Sequence, residues 1–145
     1  MLANKENVKT LAFLIDVQNH TQGIQEVNNL ETDYKESAKL LHADTIACQA
    51  ITIEGQHFSL VVDDEALLTD KPMPSVLDHN QNVLFCGSCL IYKETVDKAG
   101  YYIAKDLTED QIELIARHIS FIVSPENDSV NTIVQPVLIA DGIVD

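Results

Sequence analysis

The chain has 145 residues, 46% of them apolar, and nine Lys and Arg against 23 Asp and Glu leave a formal net charge of −14. That length suits one domain with its own core, and the apolar fraction excludes general disorder. The acidity disfavours direct contact with phosphate backbones or anionic lipid; it suits either plain solubility or a basic protein surface.

No apolar run approaches the roughly 20 residues of a membrane-spanning helix. The first residues lack the basic-then-apolar layout of a signal peptide. Three cysteines, an odd number, fit a reducing compartment better than a disulfide framework. A cytoplasmic location is the expectation.

Residues 8–17 read as a strand buried on both faces, because Leu11, Phe13 and Ile15 alternate with Ala12, Leu14 and Asp16. Turn chemistry at 19–23 returns the chain as a second strand over 24–30, a hairpin. A helix follows over about 32–42, with Thr32 or Asp33 as cap, Tyr34, Ala38 and Leu41 on one face, and Glu31 paired with Lys35. Residues 45–54 and 57–63 form two strands around Gly55. Lys71-Pro72-Met73-Pro74 breaks regular structure, so 68–82 is predicted as a long loop with one helical turn at most. The apolar run 83–93 reads as one continuous central strand, and 101–104 as its edge partner.

Thr108 with Gln111 has capping-box spacing, and Leu107 with Ile112 that of a hydrophobic staple. Ile112, Ile115, Ala116, Ile119 and Ile122 then line one helical face, which predicts a helix over 108–122 ended by Ser124-Pro125. After a polar loop at 126–129, Val130, Ile133, Val134, Val137, Leu138 and Ile139 predict a docked final strand, interrupted or edged by Pro136; a homodimer contact through this segment is the alternative. The resulting fold class is α+β, a mainly antiparallel sheet of five to seven strands with two helices (about 32–42 and 108–122). A single domain over 1–145 is expected, with its core at about 8–122 and a loop and docked strand over 123–145.

Cys86-Gly87-Ser88-Cys89 is a C-x-x-C, but on a strand residues three apart point to opposite faces. Two small buried cysteines flanking a close-packed glycine are the expectation. A zinc site would need two more ligands, and neither Cys48 nor any histidine supplies a second pair at ligand spacing. Asp63-Asp64-Glu65 closes a strand, a place where carboxylates gather on hard cations such as magnesium, or simply meet solvent. His20, His42, His57, His79 and His118 are scattered, without H-x-x-x-H spacing. Glycines occur singly, which leaves no phosphate loop, and basic patches are missing. No cofactor is expected.

The strand end Val61-Val62-Asp63-Asp64-Glu65, the stretch Gly87-Ser88-Cys89-Leu90-Ile91 and the later Leu107-Thr108-Glu109-Asp110-Gln111-Ile112 follow one another in a familiar order. In these, the chain resembles the family of the domain of unknown function numbered 3846, found largely in phages, plasmids and other mobile elements of bacteria. The resemblance covers about residues 8–120 and brings no catalytic residues with it. It departs from the family pattern at Ala66, where a glycine tends to follow the acidic triplet, which puts a left-handed turn there in doubt. What the resemblance implies is context: a small acidic mobile-element protein that interferes with a host machine.

Charge and context together lead to a non-enzymatic acidic binding protein with a counter-defence role. It would occupy the basic, nucleic-acid-binding surface of a host protein such as a guided nuclease through Asp63, Asp64, Glu65, Glu109, Asp110 and Glu113. Two alternatives stand beside it: sequestration of a small nucleotide signal, and a metal-dependent enzyme built on Asp63-Asp64-Glu65. Whether the acids share one face is the structural question.

Overall fold

The computed structural model describes residues 8–30, 33–124, 130 and 132–144. Strand β1 (Lys9–Asp16) pairs antiparallel with β2 (Thr21–Asn28), with Phe13 opposite Ile24. Asp16 shapes the turn between them: its carboxylate accepts from the backbone N–H groups of Gln18 and Asn19 at 3.0 Å and from the Asn19 amide at 2.8 Å. A short helix, α1 (Lys35–Leu40), then leads to β3 (Ile46–Ile53) and β4 (Gln56–Asp63). Glu54 and Gly55 join those two strands with φ of 48° and 76°, the two-residue turn whose backbone twist matches that of a hairpin.

A 3-10 turn at Ala66–Leu68 precedes β5 (Pro74–Leu77) and β6 (Val83–Cys86). Strands β7 (Cys89–Val96) and β8 (Tyr102–Lys105) follow, then helix α2 (Glu109–Arg117). Strands β9 (Ile119–Val123), β10 (Val134–Ile139) and β11 (Gly142–Ile143) complete the described chain. The first sheet has seven strands in the order β11-β3-β4-β7-β1-β2, with β8 also paired to β7, and every pairing is antiparallel. The second runs β6-β5-β10-β9, with β5 and β10 parallel. The fold is α+β and mainly antiparallel.

Both faces of the first sheet are covered. On one, Phe13, Ile15, Phe58, Leu60 and Ile91 pack with Val76 and Leu138 of the second sheet and with Leu114 and Ile115 of α2. On the other, Ala12, Val61, Leu90 and Tyr92 pack with Val27, Leu30 and Leu41. Central strands buried on two sides need apolar residues at consecutive positions, which is why Leu60-Val61-Val62 and Leu90-Ile91-Tyr92 run unbroken.

Several sequence expectations need correction. Helix α1 is shorter than 32–42; Leu41 is buried as expected, but Tyr34 is 39% exposed, and Ser37 is buried beside Leu41. Asp33 accepts a hydrogen bond from the Lys35 N–H at 3.1 Å, while Thr32 and the Glu31–Lys35 pair fall outside the described residues. The expected loop at 68–82 contains β5, which starts at Pro74; the first residue of a strand is where a missing N–H is tolerated. The run 83–93 is two strands in two sheets, broken at Gly87 and Ser88.

Helix α2 ends at Arg117, with β9 occupying the rest of the predicted 108–122. Ile112, Ile115, Ile119 and Ile122 satisfy a helical period, but Ile119, Phe121 and Val123 satisfy the strand period equally. β-Branched residues and Phe tip that tie toward the strand. The capping box itself is present: Gln111 N–H donates to Thr108 Oγ1 at 3.2 Å and Thr108 N–H to Gln111 Oε1 at 2.9 Å. The predicted helix stop at Pro125 and the loop at 126–129 lie outside the described residues. The predicted final strand exists as β10. It sits inside the second sheet, between β5 and β9, with Val137 and Leu138 fully buried, so the core extends past residue 122. Pro136 falls where β10 pairs with β9 alone, opposite Phe121.

Candidate functional site

Strand β4 delivers the first acidic cluster. Its ladder with β3 runs to Asp63, after which the Asp64 N–H bonds the Thr45 carbonyl at 3.1 Å. Asp63 Oδ1 turns back to accept from the Glu65 N–H at 2.9 Å, and Glu65 Oε1 accepts from Thr45 Oγ1 at 3.0 Å. Two of the three carboxylates are therefore committed locally, while Asp64 is exposed. Among the described residues no three His, Cys, Asp or Glu side chains gather as a metal-ligand set.

Beside this cluster the chain crosses from one sheet to the other at Cys86-Gly87-Ser88-Cys89. Gly87 has φ +83°, and its N–H donates to the Met73 carbonyl at 2.8 Å. A Cβ there would lie 2.9 Å from Ala66 Cβ and 3.3 Å from Asp63 Cβ. Ser88 Oγ accepts from the Val17 N–H at 2.9 Å, which ties the crossing to the end of β1. Burial pushes the Cys89 thiol up to about 12, against a smaller opposing hydrogen bond from Ser75, and burial raises Cys86 as well. Both thiols stay protonated at neutral pH, whereas nucleophilic or metal-binding work needs the thiolate. The expectation of two buried cysteines around a close-packed glycine holds, but through a strand break rather than opposite faces of one strand. The doubt over a left-handed turn at Ala66 resolves too: Ala66 opens the 3-10 turn, and the left-handed residue is Gly87.

The second cluster lies on α2. Glu109, Asp110 and Glu113 are exposed, and the first two sit in the first turn, where the helix dipole favours them. Asp110 and Glu113 share a groove of about 420 Å³ with Glu54, Gln56, Leu114 and Arg117. Arg117 Nη2 is 3.6 Å from Glu54 Oε2, and His118 Nε2 is 3.2 Å from the same oxygen.

Gln56, beside this groove, begins β4, and Asp63 ends it. At about 3.3 Å per strand residue the two acidic clusters stand roughly 23 Å apart. The two clusters lie toward opposite ends of that strand. Near α1, Glu36 lies among Lys35 and Lys39.

Sequence reasoning missed the polar network around the β3–β4 turn. Asp141 Oδ2 accepts from the Gly55 N–H at 2.9 Å, and Asp141 Oδ1 is 3.0 Å from His79 Nε2. Those two contacts, the backbone one first, hold the Asp141 carboxyl below its usual range. The His79 and His118 rings meet edge-on with centroids 6.5 Å apart, which links this pair to Glu54. No local motif could have signalled it, because its members come from four separate segments.

The other missed feature is a groove of about 900 Å³ between α1 and the β1–β2 hairpin. Lys35, Lys39 and His42 line it from successive turns, Leu14 and Leu40 give it apolar surface, and Thr21 and Gln25 add polar groups. Spacing within α1 was the available signal, but the partner wall belongs to the hairpin.

Comparison of the chain with protein-family models, curated proteins and solved structures returns no match. Among the described residues no helix is long and apolar enough to cross a membrane.

Proposed function

We propose that this chain is a non-enzymatic, cytoplasmic binding protein that presents carboxylates to a basic surface of a partner protein. In its specific form it belongs to a phage or other mobile element and covers the nucleic-acid-binding surface of a host protein such as a guided nuclease. The observation that carries this reading is the α2 groove, where Glu54, Asp110 and Glu113 face solvent with Arg117 as the one arginine or lysine on its walls among the described residues. Arg117 is itself engaged by Glu54. The net charge of −14 and the resemblance to a mobile-element family support it.

The test is displacement of labelled duplex DNA from a guided nuclease, followed by anisotropy. The chain is expected to compete at low salt and to weaken as salt rises, since screening removes the attraction. Replacing Glu109, Asp110 and Glu113 by Gln, Asn and Gln is expected to weaken competition about tenfold or more. The same exchange at Asp63, Asp64 and Glu65 then measures the share of the other cluster. Absence of competition at low salt, or competition indifferent to salt, overturns the reading.

A second reading, sequestration of a small anionic ligand such as a nucleotide signal, is favoured by the groove beside α1. Lys35, Lys39 and His42 offer donors to phosphate, and Leu14 and Leu40 offer apolar surface to a base. Native mass spectrometry of freshly purified protein is expected to reveal a bound ligand that is lost in a Lys35→Glu, Lys39→Glu variant. A clean apo mass for the unaltered chain counts against it.

A further inference from the structure

Strand β9 is an edge of the second sheet, bonded to β10 on one side and unpaired on the other among the described residues. Such an edge offers a row of backbone donors and acceptors to another strand, and proteins usually blunt it with Lys, Pro or a bulge. The sequence of β9, Ile-Ser-Phe-Ile-Val, has neither residue, and its register with β10 is regular. Phe121 and Val123 point to the same face and are 60% and 62% exposed. Val134, directly opposite Val123, is 46% exposed and extends the apolar stripe onto β10.

We propose that β9 is a homodimer edge, at which two copies of this chain pair antiparallel about a two-fold axis through Phe121. Phe121 then lies opposite the partner's Phe121, Ile119 opposite the partner's Val123, and the two four-stranded sheets become one continuous sheet. The symmetry of the strand about Phe121 selects a second copy as the occupant, and charge does not oppose it along this edge. Two chains of −14 repel one another through their carboxylates, and β9 and β10 carry no charged residue, so like-charged copies can approach along this edge. A basic partner gains nothing from an uncharged stripe. The other free edges differ: β2 holds Glu26, β8 holds Lys105, β11 is two residues long, and β6 lines a further groove that also holds Asp63 and Asp64. The strand is also self-complementary, an apolar residue at each odd position about a central Phe, as an isologous interface requires.

Sedimentation equilibrium of the intact chain tests this. A concentration-dependent dimer is expected, and it should tighten as NaCl rises from about 50 to about 500 mM, because screening relieves repulsion between the copies. That response is opposite in sign to the salt weakening expected for a basic partner, so the two ideas fail separately. Phe121→Lys and Val123→Lys, made singly, are expected to weaken the dimer about tenfold or more while leaving circular dichroism unchanged, and melting unchanged at concentrations where the wild-type chain is monomeric, because both side chains are exposed in the single chain. A wild-type chain that stays monomeric up to about 1 mM overturns the proposal. So does a dimer that survives both substitutions in folded protein.

Discussion

Gly87→Ala is expected to destabilise the protein by about 2–5 kcal/mol, from about 1–2 for the left-handed backbone and about 1–3 for overpacking. At φ +83° the backbone disfavours any side chain, and the new methyl would stand 2.9 Å from Ala66 Cβ and 3.3 Å from Asp63 Cβ. Neither neighbour is the end of a flexible side chain, so the 3-10 turn or the sheet crossing has to shift. A urea titration of the single variant measures the total. Adding Ala66→Gly removes the nearer methyl and should recover the packing share, leaving about 1–2 kcal/mol for the backbone. A double variant no more stable than the additive sum of the singles would show that close approach to Ala66 is not the cause.

Leu138→Ala is expected to cost about 2–5 kcal/mol, the range for truncating a fully buried leucine. Leu138 is completely inaccessible, pairs with Val76 on one side and Ile119 on the other, and belongs to the cluster shared by both sheets and α2. The volume-conserving Leu138→Met should cost less than about 1.5 kcal/mol. Because the two sheets share this cluster, the alanine variant is expected to unfold in a single transition by circular dichroism and tyrosine fluorescence alike. Separate midpoints for the two probes would mean that the sheets melt independently.

Local signals in the chain predict local structure well. The β1–β2 hairpin, the β3–β4 hairpin around Gly55 and the capping box at Thr108 each depend on neighbours within a few residues, and each is present. The failures occur where tertiary partners decide. An unbroken apolar run from 83 to 93 looks like one strand, yet it parts into two sheets at Gly87, where a φ of +83° and the closeness of Ala66 and Asp63 leave no room for a side chain. Pro74 looks like a breaker, yet it heads a strand whose next residues are buried against β10 and β6. Residues 119–123 satisfy helix and strand periods at once, and pairing with β10 settles the matter.

The acids follow the same pattern. Asp63, Asp64 and Glu65 are visible as a triplet, and Glu109, Asp110 and Glu113 as one helical face. Their separation by the length of β4 is a property of the sheet and of no short stretch of sequence. The same holds for Glu54, His79, His118 and Asp141, which meet only after both sheets have formed.

The sheet order also bears on how fast the chain reaches this state. Its closing pairs join distant segments: Phe13 with Ile91, Leu138 with Val76, and Ile143 with Ile51. Hairpins such as β3–β4 form in about 1–10 μs, but each closing pair surrenders the entropy of a long loop before its contacts reward it. A topology so dominated by non-local pairing belongs among slow folders, with refolding in roughly the millisecond-to-second range. While β10 is undocked, Leu138 and its neighbours in the shared cluster are open to water, so aggregation during refolding should begin at the second sheet.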